Sequence, residues 1–414
     1  MARGEQLRAG EEVEGLRRAL HWNRVADECF PPATRPRWLG RQRRELAQRL
    51  PGESTEAGPE SPPTELDGYF DALESASQGK HEQALDLLLT YTERHPRHFV
   101  AWYVRGMCHE GLAQHADAAA AFTICISLQP DFPWAHLNRG IVRLKQQQAE
   151  RAIHDFTRAL ELKPGWTLAL WNRAVAHEAR GKLHDAESDL TKALDQPEAP
   201  VGLYFLRAKV RRSLDDAAGA ERDRAEGMKR PPADALSWNT RGVWRRKENP
   251  QLALGDFDAA LQLNPRLREA LQNKALVLAD QLDRPGDAVA SLDRLLEMYP
   301  NHLEARAGRG VYLARLGESE RAIQDANDCL RESQAPFLLY QMAGLYAHLS
   351  LGDATGKMRA EALRLLARAF SSGFDQLAII DRDPDIVPLR DDAEFKRLLE
   401  HAQALQAARR MAAR

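Results

Sequence analysis

The chain has 414 residues, 43% hydrophobic and 29% charged, which is enough apolar material to fold and more length than one globular core normally supports. Lys and Arg (58) nearly match Asp and Glu (60), for a formal net charge of −2, so no global field favours nucleic acid or an anionic membrane. Cys29, Cys108, Cys125 and Cys329 are scattered with no CxxC pair, no apolar run reaches about eighteen residues, and the charge-dotted start is not a secretory signal, so a reduced, cytoplasmic chain is expected.

The first predicted elements are two helices within residues 11–49, split by Pro31, Pro32 and Pro36, in a helical N-terminal segment spanning 1–50. Residues 51–64, PGESTEAGPESPPT, contain four Pro, two Gly and three Glu and read as a linker.

From residue 65 to about 370 one pattern returns. Alanines stand at Ala84, Ala118, Ala152, Ala186, Ala220, Ala253, Ala288, Ala322 and Ala362, with gaps of 34, 34, 34, 34, 33, 35, 34 and 40 residues. A large residue follows four later at Leu88, Phe122, Phe156, Leu190, Phe257, Leu292 and Leu366, and a Pro twelve later at Pro96, Pro130, Pro164, Pro265 and Pro300. Upstream, a small residue recurs at Gly106, Gly140, Ala174, Ala208, Gly242, Ala275 and Gly310. Each unit holds two stretches of 3.6-residue periodicity, split by turn signals such as Gly79, Gly181 and Gly317. The small residues let two helices approach, the large one fills the space beside them, and Pro ends the second helix.

This pattern resembles the tetratricopeptide repeat, W-x2-L-G-x2-Y then A-x3-F then P, over about nine units. The resemblance implies an all-α solenoid of helical hairpins, a right-handed superhelix whose A helices line a concave groove. The fifth unit departs from it, with Arg224 where an aromatic belongs and Gly227 in place of Ala. The sixth unit is one residue short, the seventh one long, and the ninth carries about seven extra near Gly352–Lys357. Residues 371–414 are expected to form a C-terminal cap and helix, in which Ile379, Ile380, Ile386, Leu389, Phe395 and Leu398 cover the last repeat.

The closing DPDIVPLRDDAEFKRLL, with RPRWLGRQRRELA before the linker, resembles the repeat-rich tails of bacterial multidomain Ser/Thr protein kinases. No HRD-x4-N, DFG, VAIK or Gly-rich phosphate loop accompanies it, so no catalysis is expected. Nor is a cofactor or metal: HEGLAQH places His109 and His115 six apart, where HExxH needs four.

Two polar columns remain. The seventh position of the unit holds Arg139, Arg173, Arg207, Arg241 and Arg309, and the facing helix offers Asp155, Asp189, Asp223, Asp256 and Asp325, a pattern predicting structural ion pairs between helices A and B or to the neighbouring unit. Arg105 with Ala121, and Lys274 with Ser291, lack the partner. The sixth position holds Asn138, Asn172 and Asn273, whose amides suit the N–H and C=O of an extended peptide; the repeat resemblance implies that role, and the alternative is a solvated or locally bonded amide. Groove positions add Tyr103, Trp134, Leu137, Trp171 and Phe205, then Lys209, Arg212 and Arg246, suiting a partner with apolar anchors and an acidic end. The expected function is a scaffold or adaptor binding an unidentified protein or peptide. The alternative is a non-catalytic regulatory or substrate-docking part of a kinase system, and RNA binding through Arg212 and Lys247 is disfavoured.

Overall fold

In the computed structural model the described residues are 36–50 and 64–412, with a few positions between 16 and 29. The proposed linker 51–64, apart from Thr64, and most of the first proposed helix lie outside them. No strand occurs among the described residues, and the chain divides into two compact units, Met1–Pro197 and Glu198–Arg414.

The first unit begins with the helix Arg37–Gln48, which leans on the first hairpin. Trp38 stacks on Phe70 with ring centroids 4.3 Å apart, and the Trp38 amide donates to Asp67 Oδ1 at 3.0 Å. Four hairpins follow, each an A helix and a B helix: Glu65–Ser77 and His81–Arg94, Phe99–Gly111 and His115–Leu128, Pro133–Lys145 and Ala149–Leu162, Thr167–Ala179 and Leu183–Leu194. The second unit holds five more: Gly202–Ser213 and Ala217–Lys229, Ala235–Arg245 and Pro250–Leu263, Arg268–Gln281 and Pro285–Met298, Leu303–Arg315 and Ser319–Glu332, Pro336–Ser350 and Lys357–Ser371.

The turn inside the hairpins has one chemistry. Its fifteenth-position residue is left-handed at Gly79, Ala113, Gln147, Gly181, Asp215 and Gly317, with φ between 58° and 76°. The next amide reaches back five residues, as in Gln114 N to His109 O at 2.8 Å and Lys182 N to His177 O at 2.9 Å, which satisfies carbonyls that an ending helix would orphan. Between hairpins, Pro supplies a second clip. The carbonyls of Pro96, Pro130 and Pro300 receive bonds from Trp102 Nε1 at 2.9 Å, His136 Nε2 at 2.8 Å and Arg306 Nη2 at 2.5 Å. In the ninth hairpin the extra residues lengthen both helices to 15 residues as well as the turn.

Packing inside each hairpin is large against small. A Cβ built on Gly106, Gly140 or Gly242 would lie 2.6, 2.5 or 2.6 Å from the rings of Phe122, Phe156 and Phe257, so only Gly allows that approach. The fifth hairpin inverts the scheme. Phe205, from the A helix, fills the space, and the glycine is Gly227 on the B helix, whose Cβ would meet that ring at 2.8 Å. Arg224, standing where the aromatic belongs, instead pairs with Glu221 and Glu248.

After the ninth hairpin, the 3-10 turns Leu377–Arg382 and Pro384–Leu389 and the helix Ala393–Ala412 close the second unit. Ile380, Ile386, Leu389 and Phe395 are buried, and Ile379 and Leu398 partly so. Asp385 packs over Gly344, where a Cβ would come within 2.9 Å, and is held by Arg315 Nε at 2.7 Å and His348 Nε2 at 2.9 Å. Burial pushes this carboxyl up; the His348 and Arg315 contacts outweigh that and leave it below the usual carboxylate range.

Candidate functional site

The A helices carry both polar columns. On the packed stripe, Arg139 sends Nη2 to Asp155 Oδ1 at 2.7 Å and Nε to both carboxylate oxygens. Arg173 binds Asp189 through Nε and Nη2, each at 2.7 Å. Arg207–Asp223, Arg241–Asp256 and Arg309–Asp325 repeat the geometry, with closest contacts of 2.7 Å. The five aspartates are buried and their guanidiniums nearly so. Such charges persist in low dielectric only when paired and bonded.

One feature of this network was not read from the sequence. Arg143, Arg211 and Arg245, one helical turn beyond the first Arg, place a second cation on Asp155, Asp223 and Asp256 at 2.7, 3.0 and 3.0 Å. The R-x3-R spacing of 139/143, 207/211 and 241/245 is the signal that would have found them. The first Arg also reaches the preceding hairpin: Arg139 to Thr123 at 3.2 Å, Arg173 to Thr157 at 3.1 Å, Arg309 to Asp293 at 2.7 Å. One side chain therefore ties its own B helix to the B helix before it. Where the aspartate is missing, Arg105 bonds Thr92 at 2.7 Å and lies 4.7 Å over Trp102, with its buried Nε unpartnered.

The asparagines are not paired with B helices. Asn138 Nδ2 donates to Tyr103 Oη at 2.7 Å, and Asn273 Nδ2 to Asn239 Oδ1 at 3.0 Å, in each case to the A helix one repeat earlier. Asn172 Nδ2 instead bonds its own Leu168 carbonyl at 2.8 Å.

Two expected groove residues are corrected. Leu137 and Phe205 are fully buried and cannot meet a ligand. Phe205 was drawn inward because its unit lacks the B-helix aromatic; Leu137 lies in the core around Phe156. The others reach the surface to different degrees. In the first unit, Trp134 is 41% exposed and meets Trp166 edge-on at 4.6 Å, while Tyr103 and Trp171 are half-buried. Met107 and Val175, one turn further along their helices, are also exposed, and Asn138 lies 3.4 Å from Met107 Sδ. In the second unit, Lys209 and Arg212 are exposed and Arg246 half-buried, with Arg212 4.8 Å over the Trp244 ring.

Three histidines of the first unit are buried or half-buried. Burial pushes His98, His136 and His177 below the usual imidazole value. Their neutral forms are favoured in the fold, so stability is full above about pH 6.5 and is lost as the pH falls toward the folded-state values. The melting temperature of the first unit's transition should therefore drop between pH 7.5 and 5.5, and His136→Gln, which keeps a donor for Pro130, should reduce that drop; an identical slope would refute the assignment.

No group of three or more His, Cys, Asp or Glu among the described residues could hold a metal, and no described helix is long and apolar enough to cross a membrane.

Paired helices repeating with small-on-large packing define a helical-hairpin repeat protein. Residues 72–131, 137–202 and 273–335 match the family model described as "Tetratricopeptide repeat". No curated protein matches the sequence. Among solved structures, a tetratricopeptide repeat protein from Parabacteroides merdae aligns over 65% of this chain and 99% of its own, at 16% identity and TM-score 0.46. MamA from Desulfovibrio magneticus RS-1 aligns over 40% and 93%, at 18% identity and TM-score 0.39. YrrB, titled a TPR protein with an unusual peptide-binding site, aligns over 53% and 96%, at 20% identity and TM-score 0.26.

Proposed function

We propose that the chain is a non-catalytic scaffold that binds a protein or peptide segment on the A-helix faces of its repeats. The observation that supports this most is the apolar strip of the second to fourth repeats, where Met107, Trp134 and Val175 stay exposed beside Asn138 while the rest of the hairpin core is buried. Exposed large apolar side chains grouped this way cost solvation and are retained where a partner covers them. Asn138 gives its amide hydrogen to Tyr103, which leaves the amide oxygen to accept a peptide N–H. In the second unit, Lys209, Arg212 and Arg246 form a separate basic face suited to acidic residues.

Photo-crosslinking from position 134 of the full chain, in extract of the native cell, tests the reading. With the crosslinker kept at position 134, Met107→Glu with Val175→Glu should lose the specific adduct and keep the melting temperature, because both side chains are already exposed. Undiminished capture by that variant would reject this face. The kinase-linked reading rests on the closing DPDIVPLRDDAEFKRLL and the RPRWLGRQRRELA stretch; kinase activity recovered with the crosslinked partner would support it.

A further inference from the structure

The seventh repeat breaks the ion-pair column, and the structure shows what the break leaves behind. In the five paired repeats the crevice between the A helix and its neighbouring B helices is filled by the Arg at position seven, the Asp of the facing helix and, in three of them, the second Arg. Here those places hold Lys274, Ser291 and Leu278. A cavity of about 500 Å³ opens in the crevice, lined by the sixth B helix and both helices of the seventh repeat.

Its floor is Leu254, Leu271 and Leu278, and its walls bring Lys274, Arg284 and Arg294 together with Asp258 and Asp287, one more cation than anion. Lys274 leans 2.7 Å to Asp258 of the preceding hairpin, since its own B helix offers only a hydroxyl. Ser291 spends its proton on the Asp287 carbonyl at 2.9 Å. Arg294 reaches only the Pro265 carbonyl, at 3.3 Å. The facing-helix aspartate that every paired repeat carries is replaced here by Ser291, and space has taken the place of its carboxylate.

We propose that this cavity is a binding site for a carboxylate, whose oxygens take the place of the absent aspartate between Lys274 and Arg294 while a short aliphatic body rests on the leucine floor. The volume lies within the range of small-molecule sites. The chemistry is that of the neighbouring repeats, with the anion supplied from outside: a charge-assisted contact above an apolar floor. This site is separate from the A-helix strip of the first unit, and neither depends on the other.

The test is calorimetric titration of the full chain with two probes, glutarate and N-acetyl-aspartyl-leucine amide, at ionic strength matched with sodium chloride. Saturable binding is expected, and the tighter probe tells whether the natural carboxylate is a free acid or an acidic peptide side chain. Ser291→Asp, which returns the missing carboxylate to the crevice, should abolish binding and raise the melting temperature. Lys274→Met should weaken binding at least about tenfold. Saturation absent with both probes at millimolar concentration, or affinities unchanged in Ser291→Asp and Lys274→Met chains that still melt cooperatively, would overturn the site.

Discussion

Replacing Asp155 with Ala should lower the stability of the first unit by about 3–5 kcal/mol, the cost of leaving buried cations without their anion. Asp155 is wholly shielded from solvent and accepts from Arg139 and Arg143 at once, each at 2.7 Å, so one truncation strands two guanidiniums. Desolvation already pulls the Arg143 pKa below its ordinary value, against the pull of Asp155. Urea unfolding followed by circular dichroism measures the effect. Removing charge from all three positions together, with Arg139→Met, Arg143→Met and Asp155→Leu, should recover most of the loss, because the net worth of a buried pair against an apolar replacement is small. An Asp155→Ala chain within about 0.5 kcal/mol of the parent would mean that the pair is not structural.

Phe205→Ala is expected to cost about 3–5 kcal/mol, the range for emptying a fully buried aromatic site. A groove residue would behave otherwise, losing partner affinity and leaving stability alone, so this substitution separates the two roles. Its companion is Gly227→Ala, whose added methyl would press on the Phe205 ring from 2.8 Å and should cost about 1–3 kcal/mol by overpacking. In the double variant the smaller side chain at 205 makes room for the methyl, so the combined loss should fall short of the sum. Additive losses would show that the two positions do not share a space.

How much of this was legible in the sequence depends on the residue. The alanine column and its proline echo announce hairpins because helix contact distance is decided locally, by whether a side chain is there at all: Gly106 and Gly140 must be small for Phe122 and Phe156 to lie where they do. The Arg and Asp columns were visible for the same reason, since two residues on facing helices of one hairpin keep a nearly constant separation, 16 residues for Arg139–Asp155 and 15 for Arg241–Asp256. The inverted packing of Phe205 and Gly227 was written in the fifth unit too, as an aromatic missing at 224, yet a missing residue does not say which neighbour moves in.

Contacts between repeats were hidden. Asn138 finding Tyr103 and Arg309 finding Asp293 depend on how one hairpin is rotated against the one before, and sequence spacing does not encode that angle. The cavity of the seventh repeat belongs to the same class, since Asp258 and Ser291 come from different repeats. The sequence by itself determined the period, the all-helical class and the charge columns, because these follow from the 3.6-residue helix and from side-chain size. Tertiary structure decided which aromatics are core and which are surface, and where a crevice stays open, because burial is set by the sum of neighbours and no position carries that sum alone.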